Sequence, residues 1–433
     1  MRAWFEIDLW KRVIAFLVLG LIFGLGLRWG FGPETGGAIA ETWFSWLGDL
    51  FLNLIRMLIV PLVFFTLVSG VIAMGDPKRL GSLGLRALGM YFGTTAIAVT
   101  LGLITATIFR PGASLSAETF AGADTSRMQE VSEKADQAGG IVERLLNIVP
   151  TNPVEALASG DILQIIFFAI MFGVGILLAG EVGKPVAAVI DGASEIMMKV
   201  TMLIMETAPF GVFGLMTVIM AQNGLSILQS LGTLSIALYL ACALHIALTY
   251  GGLIIRTILR LPVMYFFRGV TDAQAVAYST ASSSATLPVT ITCAEENLGI
   301  DKAVAGSVLP LGATINMDGT AIYIGMVALF GAQAMGIEVT LAQYFLVAVM
   351  ATLVSIGAAG IPSAGLLLSG MALQQVGIPE EQAYLIIGFI LPFDRLLDMM
   401  RTLTNVTGDA AVATAVAKWE GEFDEEIYRA PDI

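Results

Sequence analysis

Apolar positions along this chain fall in runs of about twenty residues, not in short alternation, which predicts spanning helices and excludes barrel strands. Ala87–Phe109, Ile162–Gly180 and Gly224–Ile255 contain no Asp, Glu, Lys or Arg. Each reaches the ~18 residues that cross a bilayer. The pattern predicts ordinary helices at roughly 13–32, 43–75, 85–110, 160–181, 194–221 and 224–256. Between the third and fourth lies one long polar, mostly acidic stretch, Pro111 to about Gly140, expected as a solvent-exposed loop.

Near residue 270 the style changes. Ala273–Ala294 is long enough to span, yet its centre holds Ser279, Thr280, Ser282, Ser283, Ser284, Thr286 and Pro288. Hydroxyls and a broken backbone suit lipid badly. Val339–Pro379 has 41 uncharged residues, about 60 Å as a single helix and twice the hydrocarbon core. Its middle, from Ser355 through Gly360 and Pro362 to Gly365, is a helix breaker. Both segments are predicted as re-entrant hairpins, about 272–297 and 341–375. A helix with an expected interruption follows each, at Asn316-Met-Asp-Gly-Thr320 and Asn405-Val-Thr-Gly-Asp409. Paired glycine-interrupted apolar segments point to a transporter's binding site.

Composition sharpens this picture. Of 433 residues, 57% are hydrophobic and 13% charged, about half the charge of a soluble domain. A water-soluble globule and a disordered chain are both excluded. The net charge of −13 argues against nucleic acid as a partner and against a polybasic lipid-binding tail. Cys242 and Cys293 lack metal-ligand spacing, and a disulfide framework is not expected. His245, alone inside an apolar run, reads as a polar helix–helix contact ahead of a proton relay. The N-terminal apolar run lacks a cleavage-like site and is expected to be retained. Arg2, Lys11 and Arg12, then Lys78, Arg79 and Arg86, then Arg256, Arg260 and Arg268 fall on one side. The positive-inside rule makes that side, with the N-terminus, cytoplasmic in a multi-pass cell-membrane protein.

The last span, roughly 383–417, carries Asp394, Asp398, Arg401, Asn405 and Asp409 at steps of three or four. All five share one stripe about 22 Å long. An isolated charge at mid-bilayer costs on the order of 2.5–3.5 kcal/mol, so this stripe is expected to face protein. Arg395 lies one position off it and is expected to snorkel or pair peripherally. Asp398 with Arg401 reads either as a packing pair or as part of a site. Asp318 and Asp409 have no cation nearby in sequence. Carboxylates beside Asn and Gly suit a small alkali ion, and they also suit a proton; charge counting does not separate Na⁺ from H⁺.

Four segments carry a resemblance: Ala281–Val289, Pro310–Thr320, Ser355–Pro362 and Asp398–Asp409. They resemble the dicarboxylate/amino acid:cation symporters, the family of the excitatory amino acid transporters and archaeal aspartate transporters, and the match covers nearly the whole chain. The resemblance implies an all-α polytopic membrane protein of eight transmembrane helices and two re-entrant hairpins, with inverted repeats. It implies a homotrimer in the lipid bilayer, not an enzyme, needing no cofactor beyond Na⁺ as coupling ion. Scaffold and trimerisation helices would be about 10–75 and 141–222. An elevator-like transport part would be about 85–110 and 224–418.

The resemblance also assigns residues. Arg401 looks like the clamp on the substrate's side-chain carboxylate, assisted by Thr320, and Asp398 like the acceptor of its ammonium. Asn405 and the Ser283 backbone match contacts to the α-carboxylate, with Ile361 and Gly365 where the second hairpin closes. Gly312, Asn316, Asn405 and Asp409 match one Na⁺ site. Thr314, Met317, Ser355, Ile356 and Ala358 match a second. Tyr91, Thr94, Thr95, Asn316 and Asp318 match a third. The chain departs from the family at Ala281 and Met399, where one or the other is usually arginine, and at Ile324, where K⁺-coupled members have Glu. The expected substrate is therefore aspartate or glutamate, driven by Na⁺ without K⁺ counter-transport; proton-driven symport is the alternative. A C4-dicarboxylate carrier is disfavoured by Asp398, and a neutral amino acid carrier by Arg401, whose buried guanidinium would be stranded. A serine hydrolase at Ser282–Ser284 lacks a nearby activating base. Counterflow would separate a carrier from a passive channel.

Overall fold

A computed structural model describes residues 7, 9–73, 77–115, 149–159, 162–356 and 363–429, and the apolar runs within them are helices. The helices are α1 (Leu9–Phe31), α2 (Pro33–Ala73), α3 (Pro77–Phe109), α4 (Ile162–Ala179), α5 (Lys184–Met205), α6 (Ala208–Asn223) and α7 (Ser226–Leu244). Helix α7 runs directly into a π-helical stretch, His245–Ile258. Of the acidic loop only Pro111–Leu115 is described. Among the described residues, five helical stretches are long and apolar enough to cross a membrane. Exposed Val18, Leu19, Ile22 and Phe23 on α1, and Val189, Ile196 and Leu203 on α5, are faces that suit lipid and not water.

Several boundaries differ from the sequence reading, two of them with a clear cause. Helix α2 begins ten residues before the expected position 43, because Pro33 opens it and Glu34 sits in its first turn, both favourable at a helix N-terminus. The span expected at 194–221 is two helices, α5 and α6. The chain breaks at Glu206–Thr207, and Pro209 in the first turn of α6 cannot continue the preceding helix. Helices α1 and α6 run parallel and are pinned at both ends. Arg12 grips Glu206 (2.6 and 3.1 Å), and Arg28 donates to the carbonyls of Ala221 and Gln222 (3.3 and 2.6 Å).

Beyond residue 270 the helices shorten. Helices α8 (Thr271–Thr280) and α9 (Ser283–Thr292) are ten residues each, about 15 Å and half the hydrocarbon core. They fold against each other through a tight turn. Ala281 takes the left-handed conformation (φ 52°), and Ser282 Oγ accepts the Ala285 N–H at 3.2 Å to cap α9. Helices α10 (Lys302–Ile315) and α11 (Asp318–Ala334) are parted where the sequence places a break, at Asn316 and Met317. The second pair is α12 (Leu341–Ile356) and α13 (Ala364–Gln375); residues 357–362 between them, including Ala358 and Ile361, lie outside the described residues.

The last helix corrects an expectation. Helix α14, Glu380–Glu420, is continuous through Asn405-Val-Thr-Gly-Asp409, with no interruption. Gly408 there serves a close approach: a Cβ at this position would stand 2.4 Å from Tyr250 Oη and 2.7 Å from Asn316 Nδ2. The motif fills the gap in α10–α11 and does not open one of its own. Helix α11 packs on α3, α13 and α14, and both α11 and the Arg401–Ala417 part of α14 are buried on nearly every side. Their backbones touch, since a Cβ on Gly319 would lie 2.3 Å from the Arg401 carbonyl oxygen. Gly319→Ala is expected to destabilise the protein by roughly 1–3 kcal/mol through overpacking. Gly306→Ala, with nothing within 4 Å of the added methyl, is expected to leave the thermal unfolding midpoint unchanged or slightly raised.

Candidate functional site

The break between α10 and α11 is the place from which the site grows. Losing helical geometry at Asn316 and Met317 frees backbone donors, and α14 supplies partners for them. Asn405 Oδ1 accepts the Gly319 N–H at 2.8 Å, and its Nδ2 lies 3.2 Å from Met317 Sδ. Asn316 Nδ2 donates to Asp409 Oδ1 at 2.9 Å, while Thr94 Oγ1 on α3 donates to Asn316 Oδ1 at 3.4 Å. Gly312 lies beside the same carboxylate, and a Cβ there would sit 2.5 Å from Asp409 Oδ1 and 2.7 Å from Tyr91 Oη. Gly312, Asn316, Asn405 and Asp409 thus meet in one buried cluster, as do Tyr91, Thr94, Thr95 and Asp318 beside it. Thr95 Oγ1 donates to Asp318 Oδ1 at 2.6 Å; Tyr91 Oη donates to the Val308 carbonyl at 3.0 Å.

Asp318 has two partners that the sequence reading did not assign to it. Tyr250 Oη donates to its Oδ2 at 2.7 Å and His245 Nε2 lies 3.0 Å from the same oxygen, with Thr249 Oγ1 at 3.1 Å from His245 Nδ1. The contacts are satisfied with the imidazole proton on Nε2. His245 is the polar helix–helix contact that was expected, and its partner is a site carboxylate. Residues 245 and 250 sit on different faces of an α-helix. The π-helical stretch, with its five-residue hydrogen bonds, brings them together. No feature of hydrophobic periodicity signals such a stretch.

The remaining expected ion ligands are more dispersed. Ser355 is buried near the end of α12, which packs against α10, and bonds its own helix through the Thr352 carbonyl. Thr314 Oγ1 donates to the Leu311 carbonyl at 3.0 Å, and Ile356 closes α12. Met317 is buried in the break. Ala358 is outside the described residues.

One helical turn and more along α14, Arg401 is fully buried. Its Nη2 donates to Asp394 Oδ1 (3.0 Å) and is ion-paired with Asp398 Oδ1 (2.8 Å), and its guanidinium carbon stands 4.0 Å from the Tyr323 ring centroid. Asp398 Oδ2 accepts the Ser363 N–H at 2.7 Å, at the start of α13. Thr320 and Gly365 converge on the guanidinium: a Cβ on Gly365 would be 2.8 Å from Thr320 Cγ2 and 3.0 Å from Arg401 Nη1. Among the described residues, Nη1 and Nε of Arg401 have no hydrogen-bond partner. A buried planar fork with two donors unpartnered among the described residues suits a carboxylate.

Ser283 is buried in the first turn of α9. The hairpin tip beside it is tied to α14 by Arg395, whose Nη2 donates to the Thr280 and Ser279 carbonyls at 2.9 and 3.4 Å. Of the two expectations for Arg395, peripheral pairing is the one its contacts show. Arg395 satisfies the carbonyl end of α8, where a cation is favoured. Ile361 is outside the described residues.

Comparison with known proteins places the chain in a family. Residues 9–419 match the model of the sodium:dicarboxylate symporter family. The chain is 36% identical over 421 residues to a proton/sodium-glutamate symport protein of Geobacillus stearothermophilus, covering 97% of this chain and 96% of that one. It is 35% identical over 419 residues to the proton/glutamate-aspartate symporter of Escherichia coli (strain K12), covering 96% and 94%. It is likewise 35% identical over 424 residues to a C4-dicarboxylate transport protein of Anaeromyxobacter sp. (strain K), covering 98% and 92%.

The short bond from Thr95 to Asp318 gives a direct test of the cluster. Thr95→Val keeps the shape and removes a charge-assisted hydrogen bond, at an expected cost of about 1.5–3 kcal/mol. Combined with Asp318→Asn in a double-mutant cycle on thermal stability, the pair should show a coupling energy of about 1 kcal/mol or more; additivity would mean that the bond carries no stability.

Proposed function

Because the chain belongs to the sodium:dicarboxylate symporter family, and is therefore a membrane transporter and not an enzyme, we propose that it takes up an acidic amino acid, aspartate or glutamate, by symport with Na⁺. The observation that carries this reading is Arg401, whose Nη1 has no partner among the described residues and lies beside Thr320 and Gly365, with Asp398 next to it. A carboxylate on the guanidinium and an ammonium on Asp398 are the two ends of an acidic amino acid. Asp398 weighs against a C4-dicarboxylate, because a second carboxylate beside it would be repelled, although a relative carries that name.

The clusters around Asp409 and Asp318 supply carboxylate, amide and hydroxyl oxygens to a small cation. Substrate and ion are linked through α14, since Asn405 and Asp409 follow Arg401 at successive turns and Asn405 holds the break from which Asp318 emerges. Both would stabilise one closed arrangement, so each raises affinity for the other. The fuller reading follows the family resemblance: eight spanning helices, re-entrant α8–α9 and α12–α13, and a cytoplasmic N-terminus in the cell membrane. In a homotrimer, a transport part would slide like an elevator against a scaffold. The names of two relatives include the proton, which favours proton-driven symport as the second reading. Against it, Ile324, at the family's usual proton glutamate, cannot titrate, and the same absence predicts a return step without K⁺.

Uptake of radiolabelled aspartate into proteoliposomes, with Na⁺ and pH gradients imposed separately, tests the proposal. Accumulation on the Na⁺ gradient alone is expected; equal accumulation on a pH gradient without Na⁺ would transfer the coupling to the proton. Arg401→Thr should weaken aspartate binding by several kcal/mol, and an unchanged affinity in the folded variant would remove the clamp assignment.

A further inference from the structure

The stripe on α14 contains a carboxylate that neither the substrate nor the cation clusters use. Asp394 lies two helical turns before Arg401 and bonds the same Nη2 as Asp398. The two carboxylates are not equivalent. The Asp398 side chain keeps 7% exposure and accepts the first N–H of the second hairpin's inner limb. The Asp394 side chain is 1% exposed, its Oδ1 accepts from Arg401, Tyr323 lies beside it, and its Oδ2 has no hydrogen-bond partner among the described residues. Asp394 is the more deeply buried of the two.

We propose that Asp394 is the standing counter-ion of Arg401, a positioning residue that holds the guanidinium by Nη2 and limits how tightly the carrier grips an anionic side chain. The proposal rests on the acidic amino acid reading above. When a substrate ammonium engages Asp398, the attraction between Asp398 and Arg401 is shared with the newcomer. Asp394, out of reach, stays paired. It fixes the fork from below, with Tyr323 against its face, so that Nη1 remains aimed between Thr320 and Gly365. Its negative charge also opposes the incoming carboxylate across the same guanidinium. In a medium of low dielectric, one charge several ångströms away changes an anion's affinity on the order of tenfold or more.

A consequence reverses one expectation from sequence. A neutral substrate does not strand Arg401, because Asp394 keeps the guanidinium paired whatever occupies the site. Discrimination between acidic and neutral substrates then comes from the surplus donors Nη1 and Nε, and Asp394 sets how strong that surplus is. Asp394 also gives the empty carrier a bound anion for its arginine, so an unloaded site need not leave a bare buried cation.

Asp394→Asn separates charge from position, since the amide oxygen still accepts from Nη2. The measurement is the aspartate Kd of the purified carrier at fixed pH and saturating Na⁺, with asparagine as a neutral competitor. Asp394→Asn should tighten aspartate on the order of tenfold, leave the asparagine inhibition constant where it was, and lower KM for uptake without raising kcat. Equal weakening of both ligands would reveal a merely structural residue and overturn the proposal, as would an unchanged ratio. If Asp394→Asn gives no folded protein, Asp394→Ser is held to the same ratio. Arg401→Thr runs in parallel. Unchanged aspartate affinity there, or no binding of any acidic amino acid by the unaltered protein, ends the functional reading together with this one. Loss of aspartate binding in Arg401→Thr with an unchanged ratio in Asp394→Asn ends the counter-ion proposal alone.

Discussion

An excess of buried negative charge governs the part of this protein where its chemistry lies. Asp318, Asp394, Asp398 and Asp409 are all buried within two turns or so of the α11 and α14 contact, and Arg401 is the guanidinium buried among them. In lipid such a group would be prohibitive. Inside protein it is tolerable only with full hydrogen bonding or with a cation from outside. The structure supplies the first in part: hydroxyls from α3, an imidazole and a phenol from the π-helical stretch, amides from Asn316, and main-chain N–H at Ser363. On the proposed reading, a cation completing the remainder would turn an instability into a binding site.

Much of the local architecture serves that arrangement. The chain between α10 and α11 gives up helical hydrogen bonds so that Asn316 and Asp318 can turn inward, and Asn405 restores a partner to the exposed backbone. Helix α14 remains unbroken, which keeps its stripe in register: a kink at Gly408 would rotate Asp409 away from Asn316. The same glycine lets Tyr250 and Asn316 approach, and Gly319 lets α11 lie on α14 backbone to backbone. Small residues act here as they do at membrane helix interfaces, by shortening the distance between helices.

Most of the frame was legible in hydrophobic run length, because uncharged runs near twenty residues have few other uses. The broken segments were legible too, since serine, glycine and proline cannot sit in lipid unpartnered. What periodicity missed depends on geometry that emerges only in packing. Asn-x-x-Gly in both halves suggested two breaks, yet one motif breaks and the other fills the break. The start of α2 was missed because polar Glu34 and Glu41 in its first turns masked a helix that Pro33 announces. Tyr250 and His245 meet Asp318 only because α7 changes its pitch, and Arg395 finds carbonyls at a hairpin tip that no spacing rule places. The stripe from Asp394 to Asp409 was readable in full, whereas the unequal burial of Asp394 and Asp398 was not.

The claim that these carboxylates form cation sites linked to the acidic substrate is tested most directly at equilibrium. Aspartate Kd should be measured on the purified protein across a range of Na⁺ concentrations, with choline holding ionic strength constant, and repeated at two pH values. The account predicts a Kd that falls steeply with Na⁺ and moves little with pH. A Kd indifferent to Na⁺, falling only as the solution is acidified, would contradict it.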